Sequence, residues 1–596
     1  MIARGFSPRL LTDRRILLFV LASVFLSFAF FFHDNLQDAY AALPADLRIT
    51  RPSTGFAIPP KHPEDPDIVE LDYLTFRPQK SEHVKSYWNI PYAASAYGKN
   101  RFRGPQPLGK KYEGIMEWSG KLGMCPVIQK IDATLRNKED IAPEDVPGID
   151  AEHTEDCLSL NVFAPIDAEP GDELPVCVVI PGGGFHLPGR SNGGDMVAKS
   201  RGKKDKGIIV VTMYYRNGIY GFLSGEQIQK DGDFNNGLRD QRASLEWVQK
   251  YIRYFGGNPD HVVVMGTSAG GASTVLQLTG NGGDHHVSVP GTGRKQLFHG
   301  VIAQSPAAPT FYTPEQQEKF WKQVALGVNC TDLSIECVRN AAVGDLYWQN
   351  YPMSFPGRDT PPRWMWAPSP EPEGGLWTES ATSAIFGGRY AKVPSIVGYT
   401  TNEGSDQVKK ATDNEGEFKS YLKDHYPLLT DEDLDFLVKQ YPNERHWPDS
   451  GSWWDAVAKA QGDLRYICPT YLISNEMAKH NPPSVKTWQY QWDVVWGVDI
   501  ENGYGTKHAA SVGQVMARPD NEVSDYFISF IKHLDPNVDR TSDTVKWAPL
   551  DMEKPKRLFF TNRQVRDKIT ITMESPDEAR DARCQEVRRL MPQLQQ

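Results

Sequence analysis

The chain has 596 residues, of which 40 % are hydrophobic, 23 % charged and 11 % aromatic. Disordered, collagen-like and coiled-coil chains are poorer in aromatics or more biased, so those classes are excluded, and a core of this size needs neither disulfide nor metal to hold it. With 65 basic against 75 acidic residues the net charge is -10, which argues against nucleic acid as the main partner.

At the N-terminus, Ile16 to Phe32 form 17 consecutive uncharged, mostly apolar residues, preceded by Arg4, Arg9, Arg14 and Arg15 against Asp13. Positive charge ahead of an apolar run keeps the N-terminus cytosolic and sends the remainder across the membrane. Ala39-Tyr40-Ala41 offers a small-x-small cleavage site before Ala42. Residues 1–41 are therefore expected to be a cleaved signal peptide or a signal-anchor, with residues 16–32 as the means of membrane attachment. The rest is expected to be extracytoplasmic.

Seven cysteines without a C-x-x-C pair do not make a zinc site. In an oxidising compartment the expected pairs are Cys125–Cys157 and Cys330–Cys337, with Cys177 a buried free thiol inside Val176 to Ile180. Cys468 and Cys584 stay unassigned. Asn329-Cys330-Thr331 is a candidate glycan site.

Along the chain, Val176–Ile180, Ile208–Val211, Val262–Met265 and Gly300–Ala303 are apolar on both faces, as buried strands of a parallel sheet are. Val393–Val397 is a weaker candidate because of Pro394. Between Asp240 and Tyr254 the apolar residues recur at helical spacing. Strand alternating with helix predicts α/β architecture with right-handed crossovers. From Asp345 to Gly375, Trp, Pro and Gly dominate without periodicity, which predicts long irregular excursions. Ser575-Pro576-Asp577-Glu578 reads as a helix start, with Ser575 as cap and Pro576 first in the helix. A polar C-terminal helix to about Met591 should follow.

The pattern G-x-S-x-G occurs twice. Gly189-Arg190-Ser191-Asn192-Gly193 follows Pro188, with no strand before it and no helix directly after it, and reads as a loop. Gly266-Thr267-Ser268-Ala269-Gly270 follows the strand ending at Met265 and opens into a small-residue helix. Strand, sharp turn, helix is the geometry that exposes a nucleophilic serine above a sheet. Such a nucleophile needs donors for a developing oxyanion. Pro181-Gly182-Gly183-Gly184-Phe185, directly after another strand, offers unobstructed backbone amides. A phosphate nest is the other reading of that run, but no Walker-type spacing accompanies it.

These stretches, with Phe255-Gly256-Gly257-Asn258-Pro259, Glu155-Asp156-Cys157-Leu158-Ser159-Leu160-Asn161-Val162, Tyr215-Arg216-Asn217-Gly218 and Asn236-Gly237-Leu238-Arg239-Asp240-Gln241, resemble the type-B carboxylesterase/lipase family. That family is the cholinesterase-like branch of the α/β-hydrolases, and the resemblance covers roughly residues 70 to 540. It implies an α/β-hydrolase fold, a large mostly parallel sheet flanked by helices, forming one catalytic domain over 42–596. It also implies a serine hydrolase of carboxylic esters working through an acyl-enzyme. Ser268 would be nucleophile, Glu403 in Gly398-Tyr399-Thr400-Thr401-Asn402-Glu403-Gly404 the orienting acid, and His508 in Gly505-Thr506-Lys507-His508-Ala509 the base. Amides of Gly183, Gly184 and Ala269 would form the oxyanion hole.

Asp406 is the rival acid, and His425, His446, His480 and His533 the rival bases, of which His425 and His446 read as surface residues. Glu155, Asp156, Arg216 and Asp240 read as structural ion-pair or capping residues. The chain departs from the family at Pro181, at Thr267 and at Ser511 or Val512, where His or Tyr, Glu and Glu are usual. The partner implied is a small or lipid-like ester, with no metal or organic cofactor. Alternatives are a lipase on long-chain acylglycerols, transfer to an acceptor other than water, and a catalytically silent adhesion module.

Overall fold

The computed structural model describes residues 65–596 apart from 118–122, 128–152, 188, 190–191, 203–204, 290–292, 359, 363, 517–521 and 565–567. All belong to the unit Ile58–Gln596. The expectations for residues 1–41, and the Arg190-Ser191 part of the first G-x-S-x-G match, lie outside the described residues. Among the described residues, no helix is long and apolar enough to cross a membrane.

Among these residues eleven strands form one sheet: β1 (Gln79–Lys80), β2 (Val84–Pro91), β3 (Ser159–Pro165), β4 (Leu174–Ile180), β5 (Ile209–Met213), β6 (Gly257–Thr267), β7 (Gly300–Gln304), β8 (Ser395–Thr400), β9 (Thr487–Asp493), β10 (Arg557–Thr561) and β11 (Thr570–Glu574). Their order is β11-β10-β9-β8-β7-β6-β4-β5-β3-β2-β1. Every pairing from β10 across to β5 is parallel, and the outer pairings are antiparallel. This is the expected α/β-hydrolase sheet.

Both faces are covered, which explains the continuous apolar runs. Val176, Val178 and Ile180 join Val262 and Val264 in one core cluster, while Cys177 and Val179 join Val263 and Met265 in the other. Cys177 is a free, buried thiol, and burial pushes its pKa far up. The weak fifth strand exists but starts at Ser395, one residue past Pro394, because proline has no amide to donate. Strand β9 is invisible to a search for apolar runs because Gln489 and Gln491 interrupt it. Both are buried and donate from Nε2, Gln489 to Ser474 Oγ at 2.6 Å and Gln491 to Thr401 Oγ1 at 2.8 Å.

Helix α1 (Asn236–Tyr251) lies where helical spacing was read, and α2 (Ala269–Thr279) follows β6 directly. Helices α3 (Trp454–Gly462) and α4 (Cys468–His480) are joined by a π-helical turn over Asp463–Ile467. Helix α5 (Glu522–His533) covers the second core cluster. The irregular region starts later than expected, since Val343–Trp348 is a short helix. Helix α6 (Glu578–Leu594) closes the chain, but its cap is Asp577, not Ser575, and Pro576 stands outside it. Strand β11 runs to Glu574, so Ser575-Pro576 is its exit, and Asp577 Oδ1 accepts from Ala579 N at 3.1 Å. The helix buries Cys584, Val587, Leu590, Met591 and Leu594, one stripe at helical spacing.

Three disulfides are present: Cys125–Cys157, Cys330–Cys337 and Cys468–Cys584. The third pairs the two cysteines left unassigned and ties α4 to α6 across 116 residues. Closing so long a loop in the unfolded chain is worth about 5 kcal/mol on the chain-entropy account.

Candidate active site

Ser268 caps α2 at the end of β6 with φ 61° and ψ −123°, a conformation rarely adopted by a non-glycine residue. What holds it there is crowding. A Cβ on Gly266 would lie 2.2 Å from Gly270 O, and one on Gly270 would lie 2.1 Å from Ile180 O. The Ser268 amide donates to Gln304 O at 3.0 Å, hanging the turn on the end of β7. Ala269 is the first residue of α2 and is fully buried.

The glycine run leaves β4 beside this turn. A Cβ on Gly182 would stand 3.2 Å from Ser268 Cβ, so the run and the serine are in contact. Gly183 and Gly184 take φ +121° and +65°. Trp364, from the irregular region, lies with its six-membered ring where a Gly184 Cβ would be, 1.9 Å from its Cε3. His186 supports that segment by accepting the amide of Trp366 at Nε2, 3.1 Å.

Glu403 and His508 follow the adjacent strands β8 and β9, on the same carboxyl-end side of the sheet as Ser268. Glu403 is 0 % exposed. Its Oε1 accepts from Thr400 N at 2.7 Å, and its Oε2 accepts from His508 Nδ1 at 2.5 Å. A carboxylate accepts only, so the imidazole proton sits on Nδ1 and Nε2 is left as the acceptor. Nε2 is buried and, among the described residues, makes no hydrogen bond, the Ser268 hydroxyl included. Resting geometries of this kind tighten when substrate is bound.

The rivals are elsewhere. Asp406 is exposed. His425, read as a surface residue, is 2 % exposed: it stacks on Tyr421 at 4.2 Å and bonds the Tyr421 carbonyl through Nδ1, because the helix Glu415–His425 carrying both packs Phe418 and Leu422 into a separate apolar cluster with Trp454 and Leu464. His446 is exposed, His480 contacts Phe386 O, and His533 bridges to Asp539. Arg101–Glu155 and Arg216–Asp240 are buried ion pairs at 2.7 and 2.6 Å. Asn329 is exposed beside the Cys330–Cys337 bridge.

Three contacts have no sequence signal beyond composition. Trp364 lies on Gly184, Tyr466 lies against the His508 ring, and Asn402 stitches the two loops by donating its amide to Thr506 O and accepting the Thr506 amide at Oδ1, each 3.0 Å. The arrangement is a strained hydroxyl beside a glycine-lined turn, with a carboxylate–imidazole pair on the neighbouring loops. Such parts suit acyl transfer.

Comparison with known proteins agrees with this chemistry. Residues 74–579 match the carboxylesterase family. The chain is 30 % identical to Lipase 1 of Geotrichum candidum over 76 % of its own length and 84 % of that protein. It is 29 % identical to a secreted triacylglycerol lipase of Gibberella zeae over 80 % and 84 %. Among solved structures, Aspergillus niger EstA superposes with a TM-score of 0.76 at 28 % identity, covering 89 % of this chain and 99 % of that one. A PNB esterase at 23 % identity and TM-score 0.68 shares the fold.

Proposed function

The chain belongs to the carboxylesterase family and is a carboxylic ester hydrolase, and we propose that Ser268, His508 and Glu403 carry the reaction through an acyl-enzyme. The observation that carries this reading is the 2.5 Å contact of His508 with the fully buried Glu403, on loops at the same end of the sheet as Ser268, which is held with φ 61°. A serine hydroxyl is a poor nucleophile until a base takes its proton. His508 Nε2 takes that proton as Oγ bonds to the ester carbonyl carbon. Glu403 keeps Nδ1 protonated and balances the imidazolium that results.

The carbonyl oxygen, now negative, is received by the amides of Gly183, Gly184 and Ala269, and losing one such donor costs about 3 kcal/mol. The C–O bond to the alcohol then breaks, and the leaving alkoxide takes the proton from His508. Water repeats the sequence on the acyl-serine: His508 removes its proton, the acid departs, and Ser268 regains its hydrogen.

The test is Ser268→Ala in the full chain, assayed on a simple aryl ester and with a fluorophosphonate label. Loss of both turnover and labelling, with an unchanged circular dichroism spectrum, is the expected result. Wild-type turnover by the purified variant would overturn the assignment.

A second reading, hydrolysis of acylglycerols, is favoured by the lipases of Geotrichum candidum and Gibberella zeae among the relatives. Comparing tributyrin, triolein and an aryl acetate separates it from action on soluble esters. The chain from residue 42 to 596 acts as one catalytic domain in this proposal, exported under the direction of residues 1–41. The apolar run at 16–32, the three disulfides and the secreted relatives support export. Asn329, exposed within its sequon, is the proposed glycan site.

A further inference from the structure

The π-helical turn Asp463–Ile467 interrupts what would otherwise be one continuous helix from α3 into α4. Such single-turn widenings are rare inside helices and fall frequently at functional sites. Here it aims Tyr466, which is 1 % exposed and has its ring centroid 4.3 Å from that of His508, with the planes at 41°. The phenol is held at its far end, where Oη accepts from Gln407 Nε2 at 2.7 Å. Gln407 belongs to the loop that carries Glu403, and its amide donates to Gly404 O at 3.1 Å.

The turn and the helix leading into it touch the segments behind the other two groups. Gly404 packs so tightly on α3 that a Cβ there would be 2.0 Å from Ala458 O and 2.6 Å from Gly462 N. Arg465 O accepts the Ala308 amide at 2.8 Å, and the neighbouring Ala307 amide reaches Ser268 O at 3.4 Å. Tyr466 thus sits where the supports of the serine, the carboxylate and the imidazole meet.

We propose that Tyr466 is a positioning residue for ester hydrolysis. Its ring holds the His508 imidazole in the rotamer that keeps Nδ1 on Glu403, and its π-face stabilises the positive charge that imidazole takes on with the serine proton. The hydroxyl does the aiming, through Gln407, and the ring answers the charge. This inference rests on the proposed roles of Ser268, Glu403 and His508.

The two functions of the side chain separate by substitution. In the full-chain enzyme acting on a short aryl ester, Tyr466→Leu should lower kcat about tenfold with KM within about twofold, because orientation and charge stabilisation act in the transition state. Its acid limb in the pH–rate profile should move to lower pH by about half a unit, since the imidazolium has lost its partner. Tyr466→Phe keeps the face and loses the bond to Gln407, so kcat should fall only about threefold with the acid limb unmoved. Tyr466→Trp should restore the acid limb. If the leucine variant does not fold, the phenylalanine and tryptophan variants carry the test.

A leucine variant with raised KM and unchanged kcat would make Tyr466 a wall of the substrate pocket and overturn the proposal, as would an unmoved acid limb. The fluorophosphonate label distinguishes the two levels. If Ser268→Ala is still labelled and active, the triad assignment fails. If Ser268 is essential and labelled yet Tyr466→Leu behaves as wild type, only this inference fails.

Discussion

Asn402 and Thr506 exchange two hydrogen bonds, Asn402 N to Thr506 O and Thr506 N to Asn402 Oδ1, both at 3.0 Å. The residue before the buried carboxylate is thereby fastened to the second residue before the imidazole, across 104 positions of chain. Registration of Glu403 against His508 is set by this stitch as much as by the contact between them.

Asn402→Ala should therefore affect rate more than binding. The Thr506 amide loses its acceptor at a fully buried residue, which costs about 1–2 kcal/mol of stability. Turnover should fall about tenfold with KM nearly unchanged, because on the proposed roles of Glu403 and His508 their misplacement acts on the transition state. Urea unfolding and steady-state kinetics on the same preparation check both halves. A variant of normal kcat would show that Glu403 and His508 register without the stitch.

Gly184 tolerates no side chain for two independent reasons, its φ of +65° and the Trp364 ring 1.9 Å from where Cβ would stand. Gly184→Ala should lower kcat/KM at least about a hundredfold while the protein stays folded, by displacing the donor proposed for the oxyanion. Adding Trp364→Gly should recover part of that loss, since only the backbone strain, about 1–2 kcal/mol, then remains. Single and double variants assayed together on one short ester decide it, and no recovery would clear the indole of blame.

Acid sensitivity should come in part from His299, at the entry to β7. Its Nδ1 accepts the Val262 amide at 3.1 Å, so the folded ring is neutral. Burial, reinforced by His261, His285 and Lys295 and opposed by Asp260, lowers its pKa to about 4. The folded state thus resists a proton that the unfolded chain binds near the ordinary histidine value of 6.5. The resulting stabilisation is complete above that value and is lost as pH falls from about 6.5 to about 4, up to about 3 kcal/mol in all. His299→Asn keeps an acceptor for Val262 but does not titrate. Unfolding free energies at about pH 7.5 and about pH 4.5 should differ less in the variant than in wild type.

The elbow around Ser268 was legible because its constraints are local. A strand, two glycines and a small-residue helix follow one another within a few residues, and crowding at Gly266 and Gly270 is written into that succession. Family resemblance separated Glu403 from Asp406 and His508 from four other histidines, and the burial of Glu403 against the exposure of Asp406 fits that choice. His425 misled because charge in the sequence does not report burial: the adjacent Asp424 is itself buried and paired with Arg358, and the His425 ring packs inward on Tyr421. Strand β9 was missed for the converse reason: its glutamines look exposed but find buried partners.

From the order of residues alone came the alternation of strand and helix, the strained serine turn, the glycine run and two of the three disulfides. These depend on backbone periodicity and on conformations that few residue types can take, properties carried by neighbours in the chain. The indole on Gly184, the phenol on His508, the Asn402 stitch and the Cys468–Cys584 bridge join segments between 42 and 180 positions apart. Which side chains meet over such separations is decided by how the helices and loops pack on the sheet, and packing energy is a property of the assembled core that no short stretch of chain contains.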